Sequence, residues 1–120
     1  LNVVDTRAMA YNFAGMSDGS IAYQLVDKAT EYLKELLNKV KQNDEFDNID
    51  IHIRLGNPKT VIAFDFPKDH KNDLLIMGAS GMSRLQRAMV GSVTSFVKRN
   101  APCDVLVIRT GLDNKQLDIK

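Results

Sequence analysis

Tryptophan is absent from this 120-residue chain, cysteine occurs once and proline three times. A single cysteine, Cys103, cannot close an internal disulfide, which fits a reducing compartment and leaves the fold to be held by packing. An excess of one charge is lacking too. Sixteen basic residues against fifteen acidic ones leave +1, so no electrostatic footprint argues for nucleic acid or an anionic membrane surface. No apolar run approaches the ~20 residues of a membrane span, and no signal-peptide pattern opens the chain. What is present is 44% hydrophobic and 26% charged residues, the composition of one globular domain with a real core. The reading is a soluble, cytoplasmic protein in which any anion site is local.

Leu1-Asn2-Val3-Val4-Asp5 reads as a strand already in progress, so the chain starts inside a domain. Residues 6–19 carry Gly15, Asp18 and Gly19 without a clear period and read as a loop. From Ile21 to about Gln42, Leu25, Val26, Ala29, Leu33, Leu36, Leu37 and Val40 recur at three and four, one face of an amphipathic helix. Ile49, Ile51, Ile53 and Leu55 then alternate with Asp50, His52 and Arg54, a strand with one wet face suited to a sheet edge. Asn57 and Pro58 predict a short helix start, with Val61 and Ile62 inward and Pro67 as the stop. The continuous apolar run Leu74-Leu75-Ile76-Met77-Gly78 predicts a strand covered on both faces at the centre of a parallel sheet. A helix from Gly91, with Val93, Phe96 and Val97 inward, ends before Pro102, and residues 104–109 form a last strand. Strands alternating with helices are the grammar of an α/β domain. The organisation is one domain over residues 1–110 and a polar tail over 111–120.

Three of the seven glycines fall in Gly78-Ala79-Ser80-Gly81 and Gly91-Ser92-Val93-Thr94, at a strand's carboxyl end and a helix start. Ligands of open α/β sheets bind beyond strand ends, and a helix start offers unbonded N–H groups at the positive end of its dipole. Ser92 and Thr94 add hydroxyls. A turn glycine and a helix cap would explain the same residues without a ligand. The other nucleotide signatures, GxxxxGK[ST] and GxGxxG, are absent.

The spacing G-x-x-G, nine residues, G-S closely resembles the ATP-binding signature of the universal stress protein family. Leu1 to Asp5 looks like that family's second strand, Gly56-Asn57-Pro58 like the loop after its third, and Ala101 to Arg109 like its closing segment. The resemblance implies an open, mostly parallel, Rossmann-like five-stranded sheet of order 3-2-1-4-5 with helices on both faces, the first strand and helix being absent from this chain. It implies ATP, accompanied by Mg or Mn, as the ligand. Gly78, Gly81, Gly91 and Ser92 would hold phosphates and ribose, Val93 and Thr94 would extend that shell, Val3 would lie against the adenine and Met77 would line the pocket. Two departures stand out: the aspartate that ends the family's first strand has no counterpart, and Ala79-Ser80 stands where many members carry a hydroxyl residue followed by histidine or arginine.

The implied role is regulation in a stress response, by a homodimer joined through the last strand, Val105 to Ile108, acting on a regulatory protein partner that the residues do not identify. No general base or activated nucleophile stands near the glycines, so hydrolysis is slow at most. The alternatives are a ligand-free interaction module of the same fold and a phosphotransferase that uses Asp5 with Mg²⁺. His52 and His70 read as solvated and Cys103 as a small core residue. Arg84 and Arg87 fit either a phosphate approach or a solvated helix face.

Overall fold

The computed structural model describes residues 1–7, 19–43, 47–79 and 90–109. The chain divides into two compact units, Leu1–Pro58 and Lys59–Lys120.

In the first unit, β1 (Asn2–Asp5) pairs in parallel with β2 (Ile53–Gly56), Asn2 opposite Ile53 and Asp5 opposite Gly56. The strand predicted from Ile49 to Leu55 is shorter than its alternation. A ladder exists only where both strands do, and Asn2 begins it; the Asn2 N–H donates to His52 O at 2.9 Å, and the residues before His52 run without β pairing. Helix α1 (Ser20–Asn43) packs against both strands, with Leu33 and Val4 buried. Its predicted apolar face is only partly covered: Leu36 and Val40 in the last turns are exposed. The dimensions explain this, since 24 residues span about 36 Å at 1.5 Å per residue while a four-residue strand spans about 13 Å. Thr6 and Arg7 are helical rather than loop, and the rest of the loop predicted there, residues 8–18, lies outside the described residues.

A helical segment begins at Pro58, the last residue of the first unit, and its remaining residues open the second. Its α-helical start (α2, Pro58–Thr60) passes into a π-helical turn, Val61–Asp65, and continues as α3 (Phe66–His70). Pro67 was expected to end this helix, and it does not. The Phe66 N–H reaches back to Val61 O, five residues away, and the widened turn lets a new α-helix start at Phe66. Pro67 therefore sits in a first turn, where a missing N–H costs no bond. The helix stops at Lys71, whose φ of 52° and ψ of 46° are left-handed. Strand β3 (Leu74–Gly78) then pairs in parallel with β4 (Asp104–Ile108), and α4 (Ser92–Asn100) packs against β4 and the π-helical turn. Val61, Ala63, Phe66 and Val97 form the buried core, Ala63 and Val97 at 0% exposure. Beside it Phe64 meets Phe96 edge to face, centroids 5.9 Å apart, and Phe66 stacks on His70 at 4.1 Å.

One expectation for β3 is corrected. Burial alternates along β3 and β4: Leu75, Met77, Val105 and Val107 are half-buried, whereas Leu74, Ile76, Leu106 and Ile108 are exposed, Ile76 at 65%. A doubly covered strand needs a layer on each face. Within this unit α4 packs against β4 on one face, and the alternate residues of β3 and β4 are exposed on the other. Among the described residues the strands pair two by two, β1 with β2 in the first unit and β3 with β4 in the second.

Candidate functional site

The geometry that matters lies where β3 ends and α4 begins. The ladder to β4 runs one residue past the strand, the Ala79 N–H donating to Ile108 O at 2.9 Å, which fixes the backbone just after Gly78. Ala79 O in turn accepts the Gly91 N–H at 2.7 Å. The Thr94 hydroxyl donates to Gly78 O at 2.8 Å, and Thr94 is 4% exposed. Two segments twelve or more residues apart in sequence are thus stitched by one backbone and one side-chain hydrogen bond, with Ala79 itself buried. Of the predicted residues, Thr94 is thus joined directly to Gly78, and Gly91 to the residue after it.

At the helix start, Gly91 is the N-cap residue, with φ −61° and ψ 158°. That is extended backbone open to any residue, so glycine here is not demanded by conformation; what it supplies is the absence of a side chain. Ser95 is the first residue to bond back within the helix, its N–H donating to Gly91 O at 2.9 Å. The N–H groups of Ser92, Val93 and Thr94 consequently have no intrahelical acceptor, and no side chain caps them from Gly91. They and the helix dipole make this end electropositive. Ser92 is exposed, Val93 half-buried. Gly78, last in β3 and paired with Ile108, is exposed too. Met77 precedes it, half-buried on the face it shares with Leu75.

Gly81 lies, with Arg84 and Arg87, outside the described residues. Val3 belongs to the first unit, half-buried in β1 opposite Arg54. In that unit the Asp5 carboxylate is engaged by Arg7, which donates from its backbone N–H and Nε to Oδ1 at 3.0 and 3.1 Å and from Nη2 to Oδ2 at 2.9 Å. The side-chain hydrogen bond raises the Arg7 pKa above its ordinary value. A cation with a raised pKa loses its contribution only as pH climbs past the ordinary value, so this pair is constant across neutral pH. Sequence reading missed one participant altogether. Ala79 acts through its carbonyl and its burial, and a backbone acceptor has no residue-type signature.

A model of the universal stress protein family matches residues 1–109. Proteins named as universal stress proteins in Staphylococcus epidermidis and Staphylococcus aureus are 35% and 34% identical to the chain over 113 residues, or 92% of it. The chain spans 64% of the length of these relatives. Among solved structures, the universal stress protein UspA from Lactobacillus plantarum superposes with a TM-score of 0.66 at 32% identity, over 89% of this chain and 73% of that one. The protein MJ0577, whose biochemical function was assigned from its structure, gives a TM-score of 0.66 at 26% identity, over 91% and 72%.

Proposed function

The chain belongs to the universal stress protein family, and from that premise we propose that it binds ATP at the junction of β3 and α4 and serves a regulatory role in the stress response. The observation that carries this reading is the stitched junction itself. With the Gly91 N–H committed to Ala79 O, the phosphate-binding groups are the next N–H groups along, those of Ser92, Val93 and Thr94, together with the Ser92 hydroxyl. Gly91 and Gly78 contribute by presenting no side chain where an oxyanion must approach. Gly81 completes the signature, and Val3 and Met77 are assigned to the nucleoside.

Among the described residues no three His, Cys, Asp or Glu side chains gather as metal ligands, and a bound Mg²⁺ or Mn²⁺ needs no such cluster when phosphates and water complete its shell. The sheet proposed for the whole fold is the five-stranded order 3-2-1-4-5 in the family's own strand numbers, in which β1 and β2 correspond to its second and third strands and β3 and β4 to its fourth and fifth, each a neighbouring pair. Hydrolysis is slow at most, and the compartment is the cytoplasm; none of the described helices is long and apolar enough to cross a membrane.

One observation favours a second reading, a ligand-free interaction module. The exposed apolar face of Leu74, Ile76, Leu106 and Ile108 is the type of surface that marks a protein contact. In the leading reading the same strand, Val105 to Ile108, joins two copies in a homodimer. Chromatography of the nucleotide released on denaturing the purified full-length protein separates the two. Stoichiometric ATP supports the first reading; none retained, with no thermal shift at millimolar ATP, supports the second.

A further inference from the structure

Resting on the nucleotide-binding reading, we infer that the Thr94 side chain positions the site and that its hydroxyl, unlike the Thr94 backbone N–H, is not one of the phosphate ligands. Its hydroxyl has one proton, and that proton is given to Gly78 O at 2.8 Å. A phosphate is an acceptor, so the same hydroxyl cannot donate to both. Thr94 is also 4% exposed, sealed within the junction, while Ser92 two residues earlier is exposed and carries a hydroxyl of its own. Turning the Thr94 hydroxyl outward would remove that donor from Gly78 O and detach the first turn of α4 from the end of β3. The Thr94 bond and the Gly91-to-Ala79 bond act as a pair, one side chain and one backbone, each joining α4's start to β3's end. Thr94 therefore sets where the first-turn N–H groups stand relative to Gly78, and acts on phosphate through them.

The test uses the full-length protein with Thr94→Val, which keeps the shape and removes the donor, and Thr94→Ser, which keeps the donor. Without nucleotide, Thr94→Val shifts the Gly78 carbonyl carbon resonance and speeds exchange of the Gly91 amide about fivefold, and Thr94→Ser stays near wild type. By calorimetry, Thr94→Val weakens ATP about five- to tenfold and adenosine less than about twofold, with Thr94→Ser again close to wild type. The Gly78 resonance difference between wild type and Thr94→Val persists with ATP bound. If that difference is absent in the free protein, or vanishes when ATP saturates the site, the Thr94 hydroxyl is a direct ligand and the inference is overturned. Wild type that binds neither ATP nor adenosine refutes the nucleotide reading and the positioning role together, and the free-protein exchange rates then report the hydrogen bond alone. Should Thr94→Val lose the fold, Thr94→Ala compared with Thr94→Ser supplies the same contrast.

Discussion

Replacing Gly91 by valine is the most informative single change at the junction, because the backbone there does not require glycine. At φ −61° and ψ 158° a valine is unstrained, and its N–H still reaches Ala79 O. The cost to folding is the weaker cap, under about 1 kcal/mol, since valine lacks the side-chain acceptor of a good N-cap and glycine supplies none either. The cost to binding is larger. A branched side chain at the N-cap stands in front of the Val93 and Thr94 N–H groups and forces a phosphate away from them. Losing one charge-assisted hydrogen bond is worth about 1.5–3 kcal/mol, so the Kd for ATP rises about ten- to hundredfold. Titration calorimetry of the full-length protein, beside circular dichroism and thermal melting, makes the comparison. An intact fold with unchanged ATP affinity would refute the idea that phosphate lies against the start of α4.

Three further changes probe the packing and the surface. Val97→Ala removes two methyl groups from a fully buried position and lowers stability by about 2 kcal/mol, read as a fall in melting temperature of about 6–10 °C. Lys71→Gly relieves a left-handed residue at a helix end and raises stability by about 0.5–1 kcal/mol in a denaturant titration. Leu106→Lys places a charge on the open face of β4 at little cost to folding, and if the proposed homodimer forms through this strand, light scattering after size exclusion shows a dimer for the wild type and a monomer for the variant. An unchanged dimer mass would move the interface elsewhere.

Which features were readable from the residues follows from where each signal resides. Helix α1 was legible because seven apolar side chains repeat at three and four, and its C-terminal exposure was not, because side chains do not announce how short the strands beneath them are. Pro67 misled for a related reason: its helix-breaking rule presumes regular α-helical bonding, and the π-helical turn Val61–Asp65 resets that bonding just before it. The apolar run from Leu74 to Met77 identified β3 correctly, yet hydrophobicity states which faces need cover and not whether this unit provides it. At the junction the glycine spacing pointed to the end of β3 and the start of α4, which hydrogen bonds join. The bonds that hold them, through Ala79 O, Gly78 O and the Thr94 hydroxyl, lie largely in the main chain, where identity is silent.

The central claim, that ATP phosphates bind at the start of α4, is tested most directly by amide resonance mapping of the isotopically labelled full-length protein during titration with ATP. The account predicts saturable shifts that are largest at Ser92, Val93 and Thr94 and appreciable at Gly78, and that shrink when adenosine replaces ATP. Absence of shifts at millimolar ATP, or shifts that avoid these residues and appear equally with adenosine, would contradict it.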